Sequence, residues 1–96
     1  MYYVITYDVS TETREGQRRL RRVAQICLNY GQRVQKSVFE CSVDEQGFFA
    51  LRQGLLDEIC KDTDSLRIYR IQEPHKDHIE HHGKGKSIDF DEPLVI

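Results

Sequence analysis

The sequence predicts an α+β domain in which two helices cover one face of an antiparallel sheet. Three observations carry this. Tyr2 to Val9 is almost continuously aromatic and β-branched; it is too short for a helix of a small domain and reads as a central strand covered on both sides. Two amphipathic segments follow, separated by a β-branched stretch from Arg33 to Val43. A last strand-like segment from Leu66 to Ile71 closes the order β-α-(β-β)-α-β within 71 residues.

Each element has local signals. After the first strand, Ser10, Thr11, Glu12 and Thr13 supply capping hydroxyls and a first-turn acid, so a helix begins there. Counting about 100° per residue from Arg14, Val23, Leu20, Cys27, Ala24 and Leu28 fall on one stripe between about 180° and 320°, the core-facing side. Tyr30-Gly31 ends the helix, with Gly31 suited to a left-handed cap. A break near Lys36-Ser37 would divide the Arg33–Val43 stretch into two tightly joined strands; one bent strand fits the sequence equally well. Asp44-Glu45-Gln46-Gly47 can cap the second helix. There Phe48, Leu51, Leu55, Leu56, Ile59 and Cys60 gather on one side, with Gln53, Gly54, Asp57 and Glu58 mostly opposite. Asp62 to Ser65 is a turn, and the last strand follows.

This order is that of the ferredoxin-like βαββαβ sandwich, with both helices on one face of the sheet. The core domain is expected over residues 1–73. Residues 74–96 form a polar link and a C-terminal strand, which would pair with an edge of its own sheet or of a partner's. Tyr3, Val4, Phe39, Ile68 and Tyr69 are more large residues than a sheet leaves exposed, so a homodimer through the uncovered face is expected.

Composition bounds the function. The chain has 96 residues, 39% hydrophobic and 31% charged, with 2 Pro and 6 Gly, enough for one thin core and unlike a disordered chain. No apolar run approaches the roughly 20 residues of a membrane span, and the first residues lack a secretory pattern. Cys27, Cys41 and Cys60 cannot all pair with one another, so reduced thiols and a cytoplasmic setting are expected. The net charge of -2 hides an asymmetry: residues 1–36 carry seven basic and three acidic groups, residues 37–96 seven basic and thirteen acidic. The N-terminal part is therefore a cationic end, the local field a phosphate backbone would meet.

Asp8 is the first chemical candidate. A carboxylate ending an apolar strand is either a turn aspartate or a functional group. In a symmetric dimer two such carboxylates would repel unless a cation lay between them. Hard oxygens suit Mg²⁺ or Mn²⁺, which would polarise a phosphate and lower the pKa of a bound water. The second candidate is the first helix. Arg14, Arg18, Arg21 and Arg22 fall within an arc of about 100°, with Arg19 outside it. That band is either a solvated face or a phosphate-binding one; doubled in a dimer, it would suit duplex better than a short single strand. Arg33, Lys36 and Ser37 would add phosphate contacts, and Phe39 is either a core aromatic or a base-stacking platform. His75, His78, His81 and His82 are spaced for zinc or nickel on a helix, but they lie in the polar link and read better as a tether. Nucleotide fingerprints and closely spaced Cys ligands are missing from the sequence.

The strand Tyr2-Tyr3-Val4-Ile5-Thr6-Tyr7-Asp8-Val9, the segment from Gly31 to Glu40 and the late Leu66-Arg67-Ile68-Tyr69 together resemble the Cas2 family of CRISPR adaptation proteins, over about residues 1–73. The resemblance implies a ferredoxin-like homodimer whose C-terminal strand often pairs with the neighbouring subunit. It implies Cas1 as partner, two Cas1 dimers flanking one Cas2 dimer and inserting a duplex prespacer into the repeat array. It also implies metal-dependent endonuclease activity on double-stranded DNA or single-stranded RNA, with Asp8 from each subunit holding Mg²⁺, for which Mn²⁺ would substitute. Ser10, Ser37, Arg33 and Phe39 match positions near the family's cleft. Two roles follow from the resemblance: a nuclease centred on Asp8, or a non-catalytic scaffold for Cas1 in which Asp8 is dispensable.

Overall fold

The computed structural model describes residues 1–72 and 80–84. The elements are β1 (Tyr2–Asp8), α1 (Arg14–Tyr30), β2 (Gly31–Gln35), β3 (Val38–Ser42), α2 (Glu45–Glu58) and β4 (Ser65–Ile71). They form one antiparallel sheet of order β2-β3-β1-β4, the expected ferredoxin-like arrangement. The stretch after Arg33 is two strands, turning at Lys36-Ser37. Of the histidine and C-terminal expectations, those on His75, His78 and the C-terminal strand lie outside the described residues.

Register decides which residues meet the helices. Ile5 pairs with Phe39 of β3 and Ile68 of β4, and Tyr3 with Cys41. Directly paired residues share a face, so Tyr3, Ile5, Tyr7, Phe39, Cys41, Leu66 and Ile68 point toward the helical layer. Ile5, Phe39 and Cys41 are fully buried there with Val23 and Cys27 of α1 and Leu51 and Leu55 of α2. Tyr3 stacks on Phe48, with ring centroids 3.9 Å apart. Register thus sorts the five large strand residues: Tyr3, Phe39 and Ile68 face the helices, and Val4 and Tyr69 lie on the other side.

The helix ends also differ in detail. Thr13 caps α1 by accepting from the Gly16 N–H at 3.0 Å, so the acid in the first turn is Glu15, not Glu12. Gly16 is buried where the chain after β1 crosses it; a side-chain Cβ there would run into the Ser10 carbonyl. At Gly31 the backbone is extended (φ -162°) rather than left-handed. Glycine serves there through close approach, since a Cβ would lie 2.5 Å from Cys41 Sγ and 2.9 Å from its Cα. Asp44 caps α2, accepting from the Gly47 N–H at 2.7 Å. Ile59 and Cys60 fall just past the end of α2, Gly54 packs toward Ile26 of α1 rather than outward, and Leu28, at the margin of the α1 stripe, is 44% exposed.

Candidate metal and nucleic-acid site

Asp8 is the last residue of β1 and is exposed, directly opposite Ser65 of β4. The strand carrying it pairs with β3 as far as Thr6 and with β4 through Asp8 itself. The β2–β3 turn closes against the same end: the Tyr7 N–H donates to the Ser37 carbonyl (3.2 Å) and the Tyr7 hydroxyl to the Lys36 carbonyl (3.3 Å). Asp8, Ser10, Lys36 and Ser37 are thereby gathered at one end of the sheet. Burial holds the Tyr7 phenol above its ordinary value, against a smaller opposing pull from Arg33.

Phe39 is not among the groups exposed at that end. Its ring is fully buried, and the exposed Arg33 lies over it with its guanidinium carbon 5.2 Å from the ring centroid, a cation–π contact. Phe39 is thus a core aromatic, and Arg33 is anchored to the edge of the core.

The arginines of α1 divide into three sets. Arg14, Arg18 and Arg21 are exposed, and among the described residues no acid pairs with them. Arg22 Nη1 lies 3.4 Å from Glu58 Oε1 of α2. Glu15, Asp57 and Glu58 line the groove between the helices beside Arg18 and Arg22, so the band is less purely cationic than α1 alone suggests. Arg19, outside the exposed arc, turns inward to Asp64.

Asp64 was not singled out from sequence, and its side chain has no exposed surface. Its carboxylate accepts from the Cys60 N–H (2.9 Å), Arg19 Nε (3.0 Å), the Ser10 N–H (3.1 Å) and the Thr63 hydroxyl (3.1 Å). Burial alone would raise its pKa. The Cys60 N–H, the Arg19 guanidinium and the Ser10 N–H outweigh that and lower it to about 2. Arg67 is a further exposed cation near this end. It lies two positions along β4 from Ser65, on the face carrying Asp8, and donates to the Tyr69 hydroxyl at 3.1 Å. Strict alternation along Ser65, Arg67 and Tyr69 is the signal that places it there.

As a metal ligand Asp8 has suitable chemistry, hard carboxylate oxygens at an exposed strand end. Among the described residues, no three His, Cys, Asp or Glu side chains gather around one point. A set built on Asp8 therefore needs the same residue from a second copy, or substrate oxygens. His81 and His82 are exposed, with His82 Nε2 3.0 Å from Glu80 Oε1. No helix among the described residues is long and apolar enough to cross a membrane.

A small ferredoxin-like domain with an aspartate closing its first strand and an arginine-bearing helix after it describes a known class of CRISPR-associated proteins. The family described as CRISPR associated protein Cas2 matches residues 1–79. A CRISPR-associated endoribonuclease Cas2 of Moorella thermoacetica is 59% identical over 96 residues, all of both chains. A CRISPR-associated endonuclease Cas2 of Halalkalibacterium halodurans is 50% identical, again over the full length of both. The crystal structure of Streptococcus pyogenes Cas2 at pH 6.5 superposes with a TM-score of 0.76 at 46% identity, over 86% of this chain and all of that one. The chain belongs to the Cas2 family, part of the CRISPR adaptation machinery that works with Cas1.

Proposed function

We propose that this protein acts as a homodimer that binds duplex DNA in the Cas1–Cas2 spacer-integration complex and hydrolyses phosphodiester bonds in a metal-dependent way. The observation that carries the reading is Asp8, an exposed carboxylate ending a central strand and joined through residues 9–13 to the helix bearing Arg14, Arg18 and Arg21. Asp8 from each of two protomers would hold Mg²⁺ or Mn²⁺. The cation would polarise the scissile phosphate and make a water acidic enough to attack. The arginines bind the backbone and set its position without reading sequence. Lys36, beside the strand end, adds positive charge where the phosphate would lie, Arg33 adds it from over the Phe39 ring, and Ser10 and Ser37 offer hydroxyls at the rim. The three unpaired cysteines fit a reducing, cytoplasmic setting.

One observation favours a second reading, the non-catalytic scaffold: a single chain gathers no ligand triplet among its described residues. In that reading the dimer spaces Cas1 and clamps duplex. The endoribonuclease and endonuclease names of the two relatives make single-stranded RNA the alternative substrate to duplex DNA. One experiment separates these. Asp8→Asn and the unmodified protein are compared for Mg²⁺-dependent cleavage of duplex DNA and of single-stranded RNA, and for Cas1-dependent spacer insertion. Loss of cleavage with duplex affinity within about twofold supports the nuclease. Undiminished cleavage by a pure Asp8→Asn preparation removes it, and retained insertion identifies the scaffold role.

A further inference from the structure

We propose that Asp64 is a positioning residue for Asp8, fixing the direction in which the strand-end carboxylate points. The inference rests on the Asp8-centred nuclease reading and adds to it a residue 56 positions away in the chain.

The geometry is a closed loop of contacts. Asp8 and Ser65 are the last pair of the β1–β4 ladder. Two residues beyond Asp8, the Ser10 N–H donates to Asp64 Oδ1 at 3.1 Å, and Asp64 is the residue immediately before Ser65. The ring Asp8–Val9–Ser10···Asp64–Ser65···Asp8 encloses the strand end, with Val9 buried beneath it. Residues ending a strand fray because their outer hydrogen bonds go to water; here a side chain supplies the next rung.

Asp64 is itself immobilised. Cys60 N–H and Arg19 Nε both donate to Oδ2, at 2.9 and 3.0 Å, and the Thr63 hydroxyl reaches Oδ1 at 3.1 Å. A carboxylate withdrawn from water is costly unless its lone pairs are filled, and four donors fill them. Closing the Cys60–Asp64 turn would need only the local donors. The Ser10 and Arg19 bonds span 54 and 45 residues, and what they hold is the chain leaving Asp8 and the helix bearing the phosphate-binding arginines. Supports behind a metal ligand typically change affinity by about 10–100-fold when removed.

The test uses the full chain bound to duplex. Asp64→Asn keeps the shape but loses the charge that engages Arg19; Arg19→Lys and Thr63→Ala each remove one support more gently. Two readouts are followed: the Mg²⁺ concentration giving half-maximal cleavage, and Mn²⁺-induced broadening of the Asp8 and Ser10 amide signals. The expected result is about a tenfold or greater rise in the metal concentration needed for both in Asp64→Asn. A smaller rise is expected in Arg19→Lys, with duplex affinity within about twofold in each. Folded variants that match the unmodified protein in Mn²⁺ broadening overturn the inference, and if Asp64→Asn does not fold, the two gentler variants decide it by the same criterion. Asp8→Asn distinguishes the levels. If it abolishes broadening and cleavage while the Asp64 and Arg19 variants change nothing, only the positioning role fails. If it cleaves and broadens normally, the nuclease reading fails and the inference with it.

Discussion

At Asp64 the balance between burial and hydrogen bonding has a pH signature. The folded carboxyl sits at about 2 against an ordinary 3.8, so its stabilising contribution is complete above about pH 4 and is lost as pH falls through about 2. At about 1.4 kcal/mol per unit, that contribution is about 2 kcal/mol. Urea unfolding should find Asp64→Asn less stable by about that amount at pH 7, with the gap to the unmodified protein closing near pH 2. A constant gap across that range would deny the linkage. The cysteines give a second test at this scale. Burial pushes the Cys27 thiol up to about 12 and Cys41 to about 11, whereas the Thr63 hydroxyl and the Asp62 backbone lower Cys60. Iodoacetamide at neutral pH should label Cys60 well before the other two, read by peptide mass spectrometry; equal labelling would place Cys27 or Cys41 outside the core. None of the Asp64 role was legible in sequence, because its partners Ser10 and Arg19 lie far away in the chain and no local pattern joins them. Asp8 was legible, since it interrupts an apolar strand.

Among the elements, the helices and strands followed from periodicity, but their faces needed register. Phe39 and Ile68 look alike as candidates for core or interface until pairing with Ile5 places all three under the helices. Likewise, angular counting on α1 finds the arginine arc but cannot see Glu58, which the antiparallel α2 brings to Arg22 at 3.4 Å. The consequence is a graded expectation. Arg18→Ala with Arg21→Ala should weaken duplex binding and lower the slope of log affinity against log salt by about 2, near 0.9 per phosphate contact. Arg22→Ala should do less, its charge being shared with Glu58. Titrations at several salt concentrations measure both, and an unchanged slope for the double variant would move the nucleic acid off α1. Gly31 shows the opposite limit of sequence reading: glycine after a helix suggests a left-handed cap, yet the observed demand is space beside Cys41. Gly31→Ala should cost about 1–3 kcal/mol in chemical denaturation through overpacking.

For the whole molecule, the two sides of the sheet have different tasks. The helical side holds the core and presents the arginines outward. The other side carries Val4, Thr6, Asp8, Arg67 and the 47% exposed Tyr69, and the proposed dimer is formed there. Tyr69→Glu should raise the dimer dissociation constant at least about tenfold, since a charge would replace apolar area at the contact. Sedimentation on dilution measures this, and unaltered association would locate the contact elsewhere.

Between Tyr30 and Gly31 there is no connecting residue: α1 stops and β2 starts. Helix and hairpin therefore follow one another without a linker, and the Lys36-Ser37 turn at the hairpin's far end bonds to Tyr7 of β1. One extra residue spliced at the joint would have to be absorbed by the last turn of α1 or by a slip of β2 against β3, which would carry Arg33 off the Phe39 ring.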